Sequence, residues 1–228
     1  LEFRRVLFRS LFAQTGNSLI YSQANAIYQQ NFNGLPSSGS YLLSGKGPHS
    51  FLTSPFAISA MAGWEMMQRS GSGSNAVFSI GTGSSTAAGV YSVGNSGSDR
   101  ALGTQSAGTG IYSIGLIITN QTGKTLHKIN GSFTAEQWRK GGSGNANTWT
   151  GKIGTGVFNG INAGTLNSAP SLNFSSVQSS TGAGSLNGNN PENQSIIQFN
   201  IGGLTWKNGE QLVLLWEDTD EGGSDDLM

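Results

Sequence analysis

Short apolar runs with a period of two, interrupted by glycine and asparagine, most constrain the fold of this 228-residue chain. Ile197, Phe199 and Ile201 alternate with Gln198 and Asn200, so an extended segment here would bury one face and hydrate the other. Similar short runs lie at residues 77–80, 90–93, 114–118 and 133–138. Helical periodicity is nearly absent, so the pattern predicts many short strands.

Turn chemistry between these runs points to one antiparallel fold. Leu212–Trp216 is apolar on both faces, which predicts a central strand covered on both sides. Asn208-Gly209 lies between this run and the predicted strand at residues 196–204, where a tight turn is expected. Many short strands with glycine-rich turns predict an all-β fold, an antiparallel β-sandwich (jelly roll) in a single domain.

Composition argues against several other classes of protein. Charged residues make up 11% of the chain, against about 25% in a typical soluble domain. The formal net charge is zero, which argues against a nucleic-acid partner. No apolar run approaches the ~18 residues of a membrane-spanning segment. Cysteine is absent, so disulfides and cysteine-ligated zinc are excluded.

The N-terminal residues differ in character from the rest of the chain. Residues 1–10 contain three arginines and resemble the in-frame translation of a sequencing adapter, so we expect them to be foreign to the protein. Residues 11–20 are typical of a signal-peptide remnant, cleaved after Ala13, and the mature N-terminus. We therefore expect a bacterial protein that is secreted or on the cell surface, with its β-sandwich domain at residues 21–228.

A set of short motifs follows in order along residues 21–228. The motifs are Tyr28–Pro36, Ala62–Trp64, Gly81–Ser85, Tyr91–Gly94, Asp99–Gly103, Glu136–Arg139 and Leu215–Asp220. In this order they resemble a family of secreted bacterial modules, found especially in Bacteroidetes-like bacteria, that stand at the N-terminus of large extracellular proteins.

The resemblance implies a jelly roll similar in layout to MAM and concanavalin-like modules. Such modules usually close with a strand reading Ile-Asp-Asp or similar, which pairs back near an opening Asn-Phe-Asp. In this chain Asn33 stands where the family often has Asp, and the resemblance implies that the closing strand is missing after Met228. It also implies downstream domains of the same chain as partners.

Six carboxylates within residues 217–226 form the strongest charge feature. Calcium takes six to eight oxygen ligands on a flexible loop, and closely spaced aspartates beside a Gly-Gly turn can supply several. Asp218, Asp220, Asp225 and Asp226 are therefore candidate calcium ligands. The alternative interpretation is a solvated acidic loop.

Two pairs of opposite charges form a second candidate site. Asp99 precedes Arg100, and Glu136 lies three residues before Arg139. Two carboxylates across a groove could hydrolyse a glycan. We favour instead arginine–carboxylate pairs that hold a loop or sheet edge, since charged residues in a charge-poor chain are usually paired.

Three tryptophans are candidates for sugar binding. Trp138, Trp149 and Trp206 have polar neighbours in the sequence and could expose rings that stack on a sugar, or could pack half buried at sheet edges. Trp64 and Trp216 lie in apolar segments and are expected in the core.

Together these features predict a non-catalytic extracellular module for adhesion or binding of polysaccharide or cell-surface components. A spacer domain without a ligand is one alternative. A glycan-directed hydrolase is another.

Overall fold

The structure of the chain is a computed structural model that describes residues 14–15, 17–39, 41–95, 99–220, 222 and 225–228. Its regular elements are nearly all β-strands, and among the described residues the helical elements are three single 3-10 turns at Ser59–Met61, Pro170–Leu172 and Pro191–Asn193. None of the helical turns described has the length or hydrophobicity to cross a membrane. The expected foreign segment at residues 1–10 and the expected cleavage site at Ala13 lie outside the described residues.

The strands are short except around the centre of the fold. In chain order they are β1 Gln14–Thr15, β2 Ser18–Tyr21, β3 His49–Ser50, β4 Trp64–Ser70, β5 Phe78–Gly81, β6 Gly89–Val93, β7 Ala101–Gln105, β8 Ile111–Asn120, β9 Leu126–Glu136, β10 Arg139–Lys140, β11 Thr148–Gly156, β12 Asn167–Ser168, β13 Phe174–Ser175, β14 Gly184–Ser185, β15 Gln194–Trp206 and β16 Gln211–Asp218.

The larger sheet is built around β8, β16 and β11, which pair antiparallel in that order. The edge of β8 that faces away from β16 pairs with two strands. Residues 111–116 pair antiparallel with β4, and residues 118–120 pair in parallel with β2. Short strands β12 and β13 pair with β11 at the opposite edge. The pairing is thus antiparallel throughout the centre of this sheet, as the sequence pattern predicts.

The second layer contains the β5–β6–β7 sheet, the β10–β14 pair and the long β9–β15 pair. The segment Asp225–Met228 joins the first two, because Thr104 N donates to Met228 O at 2.7 Å and Leu227 N donates to Arg139 O at 3.2 Å. Leu227 and Met228 therefore bridge β10 and β7. The predicted antiparallel sandwich is confirmed, with two layers of mainly antiparallel strands.

Strand β16 confirms the prediction of a central strand covered on both faces. Leu212, Leu214 and Trp216 lie in the main core between the layers. Val213 and Leu215 face the other side of the sheet, where they pack with Phe158 and Ile161 from the loop after β11. Burial on both faces follows from the unbroken apolar run.

Aromatic rings connect the two layers across the main core. Trp216 on β16 stacks with Trp64 on β4 at a centroid distance of 6.2 Å. Phe133 on β9 meets the Trp216 ring edge to face at 5.5 Å. This contact holds the β9–β15 strand pair over the centre of the larger sheet.

The Asn208-Gly209 turn has a different role from a hairpin turn. Gly209 has φ of 87°, as a tight turn requires, so the predicted turn is present. The strands that it connects do not pair, however, because β15 pairs with β9 while β16 pairs with β8 and β11. The turn carries the chain from one layer to the other.

Two glycines in strand interiors provide a test of this packing. A Cβ at Gly151 on β11 would collide with Leu172 Cβ and lie 3.0 Å from Ala169 O, whereas a Cβ at Gly202 on β15 would meet nothing within 4 Å. We expect Gly151→Ala to lower the free energy of unfolding by about 1–3 kcal/mol through overpacking. The matched change Gly202→Ala should be neutral or raise it by about 0.5 kcal/mol.

Urea unfolding of both variants measures this difference. Equal stability of the two variants would contradict the close approach of the 3-10 turn at Pro170–Leu172 to β11.

Candidate functional site

The acidic segment begins with a carboxylate that lies inside the protein. Asp218 ends β16 with no exposed surface. Its Oδ1 accepts a hydrogen bond from Asn147 Nδ2 at 2.8 Å, and its Oδ2 makes no hydrogen bond of good geometry with a described residue. Burial raises the pKa of Asp218 well above its usual value, against the opposing effect of Ser106, Thr104 and Asn147.

The other three aspartates of the predicted calcium site differ in burial and in hydrogen-bond partners. Asp226 is buried, and its Oδ1 accepts a hydrogen bond from Gly141 N at 2.5 Å. Asp225 is buried too, and its charge contributes to the raised pKa of Asp218. Asp220 is exposed and accepts a hydrogen bond at Oδ1 from Gly222 N at 2.9 Å.

Asp218, Asp220, Asp225 and Asp226 thus differ in their surroundings, and the calcium site that the sequence predicts for them stays a prediction. Within the described part of the chain, no three acidic or histidine side chains are grouped as a metal site requires. The alternative of a solvated loop is wrong for Asp218, Asp225 and Asp226, which are buried.

Of the two alternatives for Trp138, Trp149 and Trp206, the structure shows packing rather than exposed rings, because all three residues are at most 2% exposed. Each indole N–H donates to an acceptor supplied by a polar residue. Trp138 Nε1 donates to Glu136 Oε2 at 3.1 Å, Trp149 Nε1 to Thr104 Oγ1 at 2.6 Å, and Trp206 Nε1 to Glu210 O at 2.8 Å. Trp64 and Trp216 lie in the core as predicted.

The charged residues Arg100 and Glu136 of the second candidate site form hydrogen bonds within the fold. Arg100 is buried and donates from Nε to Ser92 Oγ at 2.9 Å and from Nη1 to Gly94 O at 3.3 Å, so it fixes the turn between β6 and β7. Its hydrogen-bond partners are one hydroxyl and two backbone carbonyls, and the charge of Asp99 opposes the lowering of its pKa by burial. Glu136 accepts the hydrogen bond from Trp138 described above.

Ion pairs between described residues occur mainly on the outer face of the larger sheet. Glu217 accepts from Arg69 Nε at 2.8 Å and from Lys152 Nζ at 3.1 Å. Beside them, Glu65 Oε2 accepts from Ile161 N at 3.0 Å, and burial raises the pKa of Glu65. These carboxylates attach the loop and neighbouring strands to the sheet.

A cavity of about 60 Å³ lies between the layers. Trp64, Trp149, Trp216, Phe133, Leu102 and Met228 are among its lining residues. It is mostly apolar and holds at most a few water molecules, so it cannot enclose a sugar ring.

The antiparallel pair of long strands β9 and β15, which are distant in the sequence, carries an exposed surface, which we call the hairpin strip. It consists of Lys128, Asn130 and Ser132 on β9 and Ile196, Gln198, Asn200 and Gly202 on β15. The register places Asn130 opposite Asn200 and Ser132 opposite Gln198. The alternate residues Ile197, Phe199 and Ile201 pack on the main core, which directs the hairpin strip toward solvent.

The polar side chains of the hairpin strip do not serve the fold. Among the described residues, the side chains of Lys128, Asn130, Gln198 and Asn200 have no hydrogen-bonding or ionic partner. Many loop amides do serve the fold, as Asn120 shows by donating to Lys124 O and Trp206 O. Sequence reasoning identified the polar alternation at Gln198 and Asn200 but missed the register that aligns it with β9.

No family model matches the chain, and no curated protein matches it significantly. The candidate site is therefore defined by the geometry of the chain alone.

The buried carboxylate predicts how stability depends on pH. Because the pKa of Asp218 is higher in the folded than in the unfolded chain, the folded state binds its proton more tightly. Its contribution to stability therefore falls as pH rises from the usual aspartate pKa through the raised one. We expect Asp218→Asn to flatten this decline and to raise the melting temperature at neutral pH.

Melting curves from about pH 4 to about pH 8 test this expectation. The matched control is Asp220→Asn, which removes an exposed carboxylate from the same segment and should leave the slope unchanged. Glu65 contributes in the same direction, so a smaller slope should remain in Asp218→Asn and disappear when Glu65→Gln is added. An Asp218→Asn curve parallel to that of the unmodified chain would contradict the assignment.

Proposed function

We propose that the chain is a non-catalytic module of a secreted or cell-surface bacterial protein and that it binds extracellular polysaccharide or other cell-surface components. The observation that carries the proposal is the hairpin strip. Its amide and ammonium groups are exposed, lie on a rigid strand pair and have no partner among the described residues. Donors and acceptors that have no partner inside the protein are suited to the hydroxyl groups of a sugar chain.

The contacts of the candidate catalytic residues support a non-catalytic role. Arg100 is committed to the β6–β7 turn, Glu136 accepts from a buried indole, and Asp218 is enclosed between the layers. Each of these groups has a structural partner that a reacting substrate would have to displace.

A second candidate function is a spacer without a ligand. It is favoured by the burial of all five tryptophan rings, since exposed aromatic rings are the usual platforms for sugar stacking. The spacer and the binding module differ in whether the hairpin strip has a partner.

Co-sedimentation with insoluble polysaccharides and binding to a panel of immobilised soluble ones test the proposal. We expect the folded chain to be retained on at least one polysaccharide, and the urea-unfolded chain to be retained on none. No reducing sugar should be released on long incubation with the polymer that binds.

Failure to bind any member of the panel would favour the spacer. Release of reducing sugar by the purified chain would overturn the non-catalytic assignment.

A further inference from the structure

We propose that the hairpin strip binds a polysaccharide that carries carboxylate groups, a chain containing uronic acid units, laid along β9 and β15. This inference rests on the proposed function and specifies both the surface and the chemical class of the partner. It follows from the order of side chains along the hairpin strip.

A free cation marks one end of the hairpin strip. Lys128 is exposed and forms no ion pair with a described residue, whereas Lys152 and Lys207 pair with Glu217 and Glu210. Opposite Lys128 lies Gly202, around which a Cβ would meet nothing within 4 Å, so the ammonium group has open space beside it. An exposed ammonium without a carboxylate of its own attracts an anionic group on a partner.

Amide groups occupy the middle of the hairpin strip. Asn130 and Asn200 are directly opposite each other, and Gln198 lies opposite Ser132 in the next pair of the same face. Each amide offers donors and an acceptor, which matches the mixed donor and acceptor character of sugar hydroxyls. Since directly opposed side chains lie about 5 Å apart, these groups can contact one chain from both sides.

An apolar side chain marks the other end. Ile196 is 70% exposed, although it lies in a regular strand beside Thr134. Covering such a surface is favourable, and the C–H face of a sugar ring can cover it. From Lys128 to Ile196, which pairs with Thr134, the hairpin strip extends about 20 Å at the usual strand rise, so it has room for several sugar units.

The order of cation, amides and apolar side chain distinguishes this partner from other polyanions. A nucleic acid would need several basic groups along its phosphates, and the hairpin strip has one lysine. A carboxylated sugar chain uses the ammonium for one unit and hydrogen bonds for the others.

Biolayer interferometry on immobilised polygalacturonate tests the proposal, with neutral dextran and double-stranded DNA as comparison surfaces. We expect binding to polygalacturonate that weakens as salt is added, and much weaker binding to the other two. Lys128→Gln should weaken the binding about tenfold, because one charge-assisted hydrogen bond is lost. The double variant Asn130→Ala with Asn200→Ala should weaken it by a similar factor, about tenfold.

The control is Lys46→Gln, which removes the same charge, together with a hydrogen bond to Gly71 O, from a loop beside the larger sheet. It should leave the affinity unchanged. Melting temperatures of all variants should agree closely with that of the unmodified chain, because the substituted side chains are on the surface.

The possible failures have different meanings. Binding to polygalacturonate that Lys128→Gln and the asparagine double variant do not weaken would overturn the hairpin strip but leave the proposed function standing. Binding to dextran alone, or equal binding to DNA, would overturn the carboxylated sugar as the partner. Absence of binding to every polysaccharide would overturn both proposals and favour the spacer.

Discussion

Strand β16 buries both of its faces, and this double burial is the constraint on which the rest of the structure depends. One face, with Leu212, Leu214 and Trp216, requires a second layer of strands above it. The other face, with Val213 and Leu215, requires the loop that brings Phe158 and Ile161 beneath it. Apolar burial stabilises the fold in proportion to the area removed from water, so leaving either face open would expose part of the apolar run Leu212–Trp216.

A low charge content makes hydrogen-bonded amides and hydroxyls the chief means of ordering the loops. Gln137 and Gln178 show this clearly. Gln178 N donates to Gln137 Oε1 at 2.7 Å, and Gln137 Nε2 donates to Gln178 O at 2.9 Å. Buried polar groups need such partners, because an unsatisfied one costs about 1–3 kcal/mol. The abundance of small polar residues therefore reflects ordered loops as well as a hydrated surface.

The polar side chains of the hairpin strip differ from these loop amides. Its amides have no partner among the described residues, and its apolar end at Ile196 is exposed. The inner face of the β9–β15 strand pair packs on the core through the contact of Phe133 with Trp216. A rigidly supported surface whose polar groups have no partner inside the protein suits a binding face, because little conformational entropy is lost when a ligand binds.

Local patterns in the sequence determined the strands, the all-β class, the double burial of β16 and the polar face at Gln198 and Asn200, because side-chain alternation depends only on neighbouring residues. The tertiary structure decided what surrounds each candidate site residue. The rings of Trp138, Trp149 and Trp206 are buried, and Asp218 is buried while Asp220 is exposed, since strand order and register bring together residues far apart in the chain. The same long-range pairing aligned β9 with β15 and created the hairpin strip. Alternation shows which way a side chain points, but only the pairing of distant strands determines what it meets there.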